Sequence, residues 1–240
     1  MSSGMYSALS GNLARMQEME TIANNLSNAN TFGYKRDNLA FESFLSGTSQ
    51  TTTGKGLNFT RLQRSFTDFT PGNNKHTGNS LDLAIDGEGF FKVKRGNDFL
   101  YTRNGVFHLS SDGTLLTNSD MEVVGKNGQP LTIPADEFSF DEEGRILAAG
   151  EEVGRIGVFT VDAPNTLTKE GGGLFKLPAG QQDHVAENSK VLQGYLETSN
   201  VNMMEEMVLM MEALRAFEAH QKMIKTYGTI GSKAADLGSL

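Results

Sequence analysis

NMMEEMVLMMEALRAFEAHQKMIKTY, residues 202–227, decides how this chain is built. Met203, Met207, Met210, Leu214, Phe217, Ile224 and Tyr227 recur mainly at steps of three and four, the spacing of one helix face. Continued to Leu237, the pattern predicts a helix roughly 50 Å long. Asn202 stands where a cap is needed, with Glu205 three residues on. Glu205, Glu206 and Glu212 come before Arg215, Lys222, Lys225 and Lys233, an order that complements the helix dipole. Glu218 and Lys222 add the favourable i,i+4 orientation. A helix with such a stripe must bury it, and no helical segment adjoins this one in sequence.

A matching pattern stands at the other end of the chain, about 170 residues away. From about Ser3 to Ala29, Met5, Leu9, Leu13, Met16, Met19, Ile22 or Ala23, and Leu26 form a second stripe. Asn28-Ala29-Asn30-Thr31-Phe32-Gly33 closes it with residues that accept left-handed backbone. Two orphan helices are expected to find each other, or other copies of the chain. Asn24, Asn25, Asn28 and Asn30 crowd the end of the first helix, where one cap needs one Asn. The cluster suggests amides bridging to neighbouring helices, where polar groups fix register; a frayed, hydrated helix end is the plainer reading. The methionines at 203, 204, 207, 210 and 211 read as helix core or as an adaptable surface meeting several neighbours. Met204 and Met211 fall partly off the stripe, which suggests burial on more than one side.

Between the helices the period changes to two. Residues 34–47 carry Leu39, Phe41, Phe44 and Leu45, compatible with a helical turn or an extended arm. Residues 46–56 are small and polar and predict a mobile loop or linker. Leu81, Leu83 and Ile85 alternate with Asp82 and Ala84, and β-rich runs follow at 90–93, 99–102 and 106–109. Turn signals separate them at Gly96-Asn97, Asn104-Gly105, Asp112-Gly113 and Asn127-Gly128. Residues 138–140, 145–148 and 155–161 add further strands. Gly is roughly 1.5 times its average usage while Pro is scarce, which favours tight turns over a disordered linker. The expected class is α+β: two terminal helices and a central all-β domain, barrel- or sandwich-like. The expected divisions are a helix over 1–33, an arm with linker and first strands over 34–80, a β-domain over 81–199 and a helix over 200–240.

The formal charge of −8 is carried almost wholly by the middle, because residues 1–35 balance and 200–240 carry −1. No basic patch exists, so no nucleic-acid partner is expected. The absence of Cys removes disulfides, thiolate catalysis and Cys-based zinc sites. No apolar run is long enough to span a bilayer. Met1-Ser-Ser-Gly-Met-Tyr-Ser-Ala-Leu9 lacks a basic segment and a sustained apolar run, so no cleavable signal peptide is expected. His76, His108, His184 and His220 are scattered, with no metal-ligand partner four residues on. Asp136, Glu137, Asp141, Glu142 and Glu143 lack calcium-loop spacing and read as a solvated hairpin. Gly171-Gly172-Gly173 is followed by Leu-Phe-Lys and is no phosphate loop. No catalytic residue, metal, cofactor or small-molecule substrate is expected. A glycan-binding β-domain using Phe90, Phe91, Tyr101 and Phe107 is an alternative, for which core packing is the plainer reading.

Three groups of residues then point to a family. Ile22-Ala-Asn-Asn-Leu-Ser-Asn-Ala-Asn-Thr-Phe-Gly-Tyr-Lys35 resembles the N-terminal signature of bacterial flagellar rod and hook proteins. Gly194-Tyr-Leu-Glu-Thr-Ser-Asn-Val-Asn202, followed by Glu205-Glu-Met-Val208, is similar to their C-terminal signature. Leu81-Asp-Leu-Ala-Ile-Asp-Gly-Glu-Gly-Phe-Phe91 and Tyr101-Thr-Arg-Asn-Gly-Val-Phe107 resemble strands of the rod β-domain. The resemblance implies a subunit of the basal-body rod, with the terminal helices paired as a coiled coil and the β-domain as an outer layer. It implies a periplasmic rod location, export through the flagellar type III apparatus, and contacts with other copies and with neighbouring rod proteins. Residues 217–227 are more similar to proximal-rod (F-type) members; Gly194 to Asn202 is as typical of distal-rod (G-type) members. The expected assembly residues are Leu9, Leu13, Met16, Ile22, Asn24, Asn25, Leu26, Asn28 and Asn30 on the first helix and its end. On the second they are Met203, Met207, Met210, Leu214, Phe217, Ile224 and Tyr227.

Overall fold

The computed structural model describes residues 2–46, 57–134, 138–148 and 150–238. The chain divides into two compact units. The first takes both ends of the chain and residues 37–68; the second takes 28–36 and 69–201.

In the first unit, α1 (Ser2–Ser27) packs along α2 (Met203–Gly238). The α2 start is capped as its sequence requires: Asn202 Oδ1 accepts the N–H groups of Met204 (3.1 Å) and Glu205 (3.4 Å). Glu205 and Glu206 fill the first turn, at the positive end of the helix dipole. Strands β1 (Asp37–Ser46) and β2 (Leu57–Thr67) form an antiparallel hairpin with a bulge between Ala40 and Phe41. Residues 37–46 are thus an extended arm and not a helical turn. The linker expected over 46–56 lies outside the described residues, save for Ser46. A two-stranded hairpin is marginal alone, and this one packs against α1.

The second unit is built of β-strands and turns, with one short 3-10 helix at Pro164–Thr166. Its first strands are β3 (Asn74–His76), β4 (Leu83–Asp86), β5 (Phe90–Arg95), β6 (Asp98–Thr102), β7 (Phe107–Leu109), β8 (Leu115–Thr117) and β9 (Glu122–Val123). Then come β10 (Phe138–Phe140), β11 (Arg145–Ala148), β12 (Glu151–Arg155), β13 (Val158–Val161) and β14 (Thr168–Gly171). The last are β15 (Leu174–Lys176), β16 (Asp183–Val185), β17 (Lys190–Gln193) and β18 (Tyr195–Glu197). The main sheet runs β14-β15-β6-β5-β9-β8-β7, with β13 also on β5 and β16 on β13. Among the described residues this path does not close on itself. A meander, β10-β11-β12, and two small ladders, β17-β4 and β18-β3, complete the unit. The last two strands therefore return to pair with the first two.

The period of two explains why this sheet is buried on both faces. Successive strand residues point to opposite sides. Phe91, Leu100 and Val158 join one apolar cluster with Leu83, Phe107 and Ile146. Their neighbours Phe90, Tyr101 and Phe159 join a second, with Val161 and Phe175. Phe90, Phe91, Tyr101 and Phe107 are all buried, so they offer no aromatic surface to a glycan.

One close approach fixes the entry to this core. Leu83 N–H donates to Gly105 O at 3.0 Å, and a Cβ at Gly105 would lie 1.6 Å from Leu83 O. The Asn104-Gly105 pair is therefore a contact requirement: Gly105 needs no left-handed backbone but has no room for a side chain. Replacing Gly105 with Ala must push β4 off its neighbour and is expected to cost about 1–3 kcal/mol. Chemical denaturation of the two proteins measures this, and an unchanged midpoint contradicts it.

Candidate assembly interface

The helix pair is built on small residues. On α1, Ala8, Gly11, Ala14, Ile22 and Asn25 are buried. On α2, Glu206 and Ala213 are buried, and Met210, Phe217, His220, Ile224 and Tyr227 are half-buried. Two contacts set the direction. Asn25 Nδ2 lies 3.4 Å from Glu206 Oε2, and Gly11 lies against the His220 ring, where an added Cβ would meet Cε1 at 3.0 Å. Both pairs of residue numbers sum to 231, one antiparallel register. In that register Ser2 falls opposite Thr229, and α2 from Ile230 onward runs past the start of α1.

Asn25 is the polar centre of this unit. Its Nδ2 donates to Asp37 O at 2.9 Å, and its Oδ1 accepts Asp37 N–H at 3.0 Å. An amide can offer both groups to one backbone unit; a carboxylate or an alkyl group cannot. Asp37 Oδ1 in turn accepts the Thr67 hydroxyl at 2.8 Å, closing the base of the hairpin. Asn25 thus ties α1 to the hairpin and to α2. The other members of the Asn cluster lie differently. Asn24 and Asn30 are exposed, and half-buried Asn28 accepts the Thr31 hydroxyl at 3.2 Å, a local turn bond.

The large apolar side chains face the other way. Leu9, Leu13 (54% exposed) and Met16 lie with Met5 on an exposed stripe, and Leu26 is half-buried. At 3.6 residues per turn this stripe is nearly opposite the Ala8–Gly11–Ala14 face. The stripe read from the sequence is therefore split. Each step of three, from Met16 to Met19 to Ile22, turns it by about 60°, carrying Ile22 inward while Leu9 and Leu13 stay outside. On α2, Met203, Met207 and Leu214 are likewise exposed. Met204 (71% exposed), Val208, Met211, Met223, Ile230 and Leu237 are exposed as well. Of these six, the sequence pattern sets Met204 and Met211 partly off the stripe; it does not single out the other four.

A second feature lies in the β-unit, where three sequence signatures meet. The Glu197 carboxylate is 1% exposed. It accepts Lys35 Nζ at 2.6 Å, the Gly72 N–H at 2.9 Å and Arg103 Nη1 at 3.1 Å. Lys35 Nζ also donates to Thr70 O at 2.8 Å. Arg103 Nη2 donates to Gly87 O at 2.7 Å, and the guanidinium lies over the Phe90 ring. Burial pulls the Arg103 guanidinium below its ordinary value, against the opposing charge and hydrogen bond of Glu197. Beside this cluster, Asn200 Oδ1 accepts Arg36 N–H, and Asn200 N–H donates to Tyr34 O. The connectors to the two helices thus start from one place in the β-unit. Sequence reading did not pair Lys35 with Glu197; the available signal was that all three charges lie inside the quoted signatures.

The acidic run at 141–143 is locally paired. A cleft of about 770 Å³ beside Asp141 is lined partly by Arg145, which bonds Asp141 at 2.6 Å, and by Lys190, which bonds Glu142 at 2.6 Å. Asp141 also accepts the backbone N–H groups of Glu143 and Arg145, so this acidic run is a hairpin turn. Asp136 and Glu137 lie outside the described residues. Among the described residues no group of three or more His, Cys, Asp or Glu could hold a metal ion. No helix among them is long and apolar enough to cross a membrane.

Comparison with known proteins places these features in context. Residues 5–35 match the family model of the flagella basal body rod protein. Residues 84–148 match the flagellar hook protein FlgE/F/G D1 domain, and 192–237 the flagellar basal body rod FlgEFG protein C-terminal model. The chain is 30% identical to the flagellar basal-body rod protein FlgG of Bacillus subtilis, covering 97% of this chain and 98% of that protein. It is 30% identical to FlgF of Caulobacter vibrioides, covering 98% of each. FlgG of Borreliella burgdorferi is 32% identical over 92% of this chain and 93% of its own.

The Glu197 cluster makes a quantitative demand. Glu197→Gln leaves two buried cations without their shared anion and is expected to cost about 3–5 kcal/mol. Lys35→Met leaves the Arg103–Glu197 pair intact and should cost clearly less. Denaturant titration of both variants tests the order; equal or reversed losses contradict it.

Proposed function

This chain belongs to the flagellar basal-body rod protein family, a family of structural proteins and not of enzymes, and from that premise we propose how it is held in the rod. The terminal helices pair as an antiparallel coiled coil. The outward faces of that pair, Leu9, Leu13 and Met16 on α1 and Met203, Met207 and Leu214 on α2, are buried between copies of the chain and neighbouring rod proteins. A head-to-tail contact that does not close generates a filament, and such a filament transmits motor torque across the periplasm. Subunits reach it through the flagellar type III export apparatus, and a chain without Cys carries no disulfide to obstruct that passage.

The observation that carries this reading is the exposed apolar face, which on α1 lies opposite the buried seam and on α2 lies beside it. Fully burying one Leu or Met side chain is worth about 1.5–3 kcal/mol, so several half-exposed ones leave ample energy for association. The proximal-rod (F-type) role fits residues 217–227 and the short segment over 36–80. A distal-rod (G-type) role is the second reading, since relatives of both names match over nearly the full chain.

Leu214→Asp places a charge on the exposed face of α2, a helix that is no part of the β-unit. The variant is expected to fold its β-unit normally, to be missing from isolated basal bodies and to leave cells non-motile. Normal incorporation of Leu214→Asp would sink the proposal.

A further inference from the structure

The charges of α2 are largely sorted along its length, with Arg215 in the acidic half and Asp236 near the basic end as the exceptions, and exposed apolar residues accompany both halves. The first half exposes Glu205, Glu212 and Glu218 beside Met203, Met204, Met207, Met211 and Leu214. The second half exposes Lys222, Lys225 and Lys233 beside Met223, Ile230 and Leu237 (75% exposed). Among the described residues, Glu212, Glu218, Lys222, Lys225 and Lys233 make no salt bridge, although Glu218 and Lys222 stand four apart. The register of the helix pair carries Ile230 and Leu237 past the start of α1, so their exposure is not relieved within the chain.

We propose that α2 of one copy lies parallel to α2 of the next, displaced along its axis by about 16 residues, or ~24 Å. This rests on the reading that the outward helix face is the assembly surface. The displacement follows from the sequence. It sets Met207 opposite Met223 and Leu214 opposite Ile230, each 16 residues apart. The same shift brings Glu218, on the Met207 and Leu214 side of α2, beside Lys233, 15 residues on. Copies laid parallel without displacement bring acid against acid and base against base, which is repulsive. An antiparallel pair also matches the charges, but it is two-fold and closes on itself. A rod must repeat without closing, which selects the displaced parallel arrangement. The charge order thus sets the axial stagger, and the apolar face supplies the adhesion.

The chain has no Cys, so introduced cysteines report contacts without background. Cells would carry as their sole copy either Met207→Cys with Met223→Cys, or Leu214→Cys with Ile230→Cys. Isolated basal bodies are oxidised with copper–phenanthroline and run on a non-reducing gel. Both pairs are expected to give intermolecular ladders, and the four single variants none. Cross-linking of 207 to 223 without 214 to 230 means an antiparallel contact and overturns the proposal. So do dimers of Met207→Cys alone, or no cross-link in incorporated protein. A second measurement guards against cysteine variants that fail to assemble. Glu218→Lys or Lys233→Glu alone should lower incorporation about threefold, and the double reversal should restore it; no rescue counts against the stagger. Loss of the stagger while Leu214→Asp still blocks assembly leaves the surface reading standing. Normal assembly of Leu214→Asp removes both.

Discussion

One buried carboxylate, that of Glu197, holds the two ends of the β-unit together. It sits between Lys35 and Arg103, and Lys35 and Glu197 are 162 residues apart in sequence. Such a pair is a poor source of net stability, because burying each ion costs nearly what the attraction returns. Its value lies in specificity. Only a chain that brings residues 35, 72, 103 and 197 to one point can satisfy that carboxylate, and any other arrangement strands a charge. The cluster also sets where the two connectors to the helices leave the β-unit. Lys35 follows α1 by eight residues, and Glu197 precedes α2 by six. Pairing α1 with α2 in an unfolded chain means closing a very long loop. With the β-unit folded, both connectors already start side by side.

The helices show why apolar pattern and packing partner need separate arguments. The sequence shows where large side chains lie, and the period correctly marks two long helices. It does not say which face meets the other helix. Here the inner seam is made by Ala8, Gly11, Ala14 and Ala213, residues too small to stand out in a hydrophobic pattern. They allow close approach, and the His220 ring lies against Gly11 for that reason. The conspicuous Leu and Met residues remain for something outside the chain. Broad, flexible Met-rich faces suit contacts with neighbours that are not identical.

Much of the fold was legible because local chemistry and tertiary need agree. Asn202 caps α2, the runs read at 90–93 and 99–102 fall in β5 and β6, which pair across the Gly96 turn, and the acidic run at 141–143 is a hairpin turn. The hairpin of β1 and β2 was ambiguous because Phe44 and Leu45 are adjacent and a bulge interrupts the ladder at Ala40 and Phe41. The Asn cluster was legible as unusual but not as to role. One member, Asn25, reads the backbone of Asp37, while Asn24 and Asn30 are exposed. The Lys35–Glu197 pairing was not legible from spacing, which carries no information about charges that meet only after a whole β-unit has folded.

The central claim is that the exposed Met and Leu face of the helix pair is covered in the assembled rod. Methionine oxidation by dilute hydrogen peroxide, mapped by peptide mass spectrometry, measures that cover residue by residue. In the free chain Met203, Met204, Met207 and Met211 should react quickly and buried Met121 slowly. In isolated basal bodies the same four should be protected. Equal reactivity of these four in the free chain and in the rod would contradict the account.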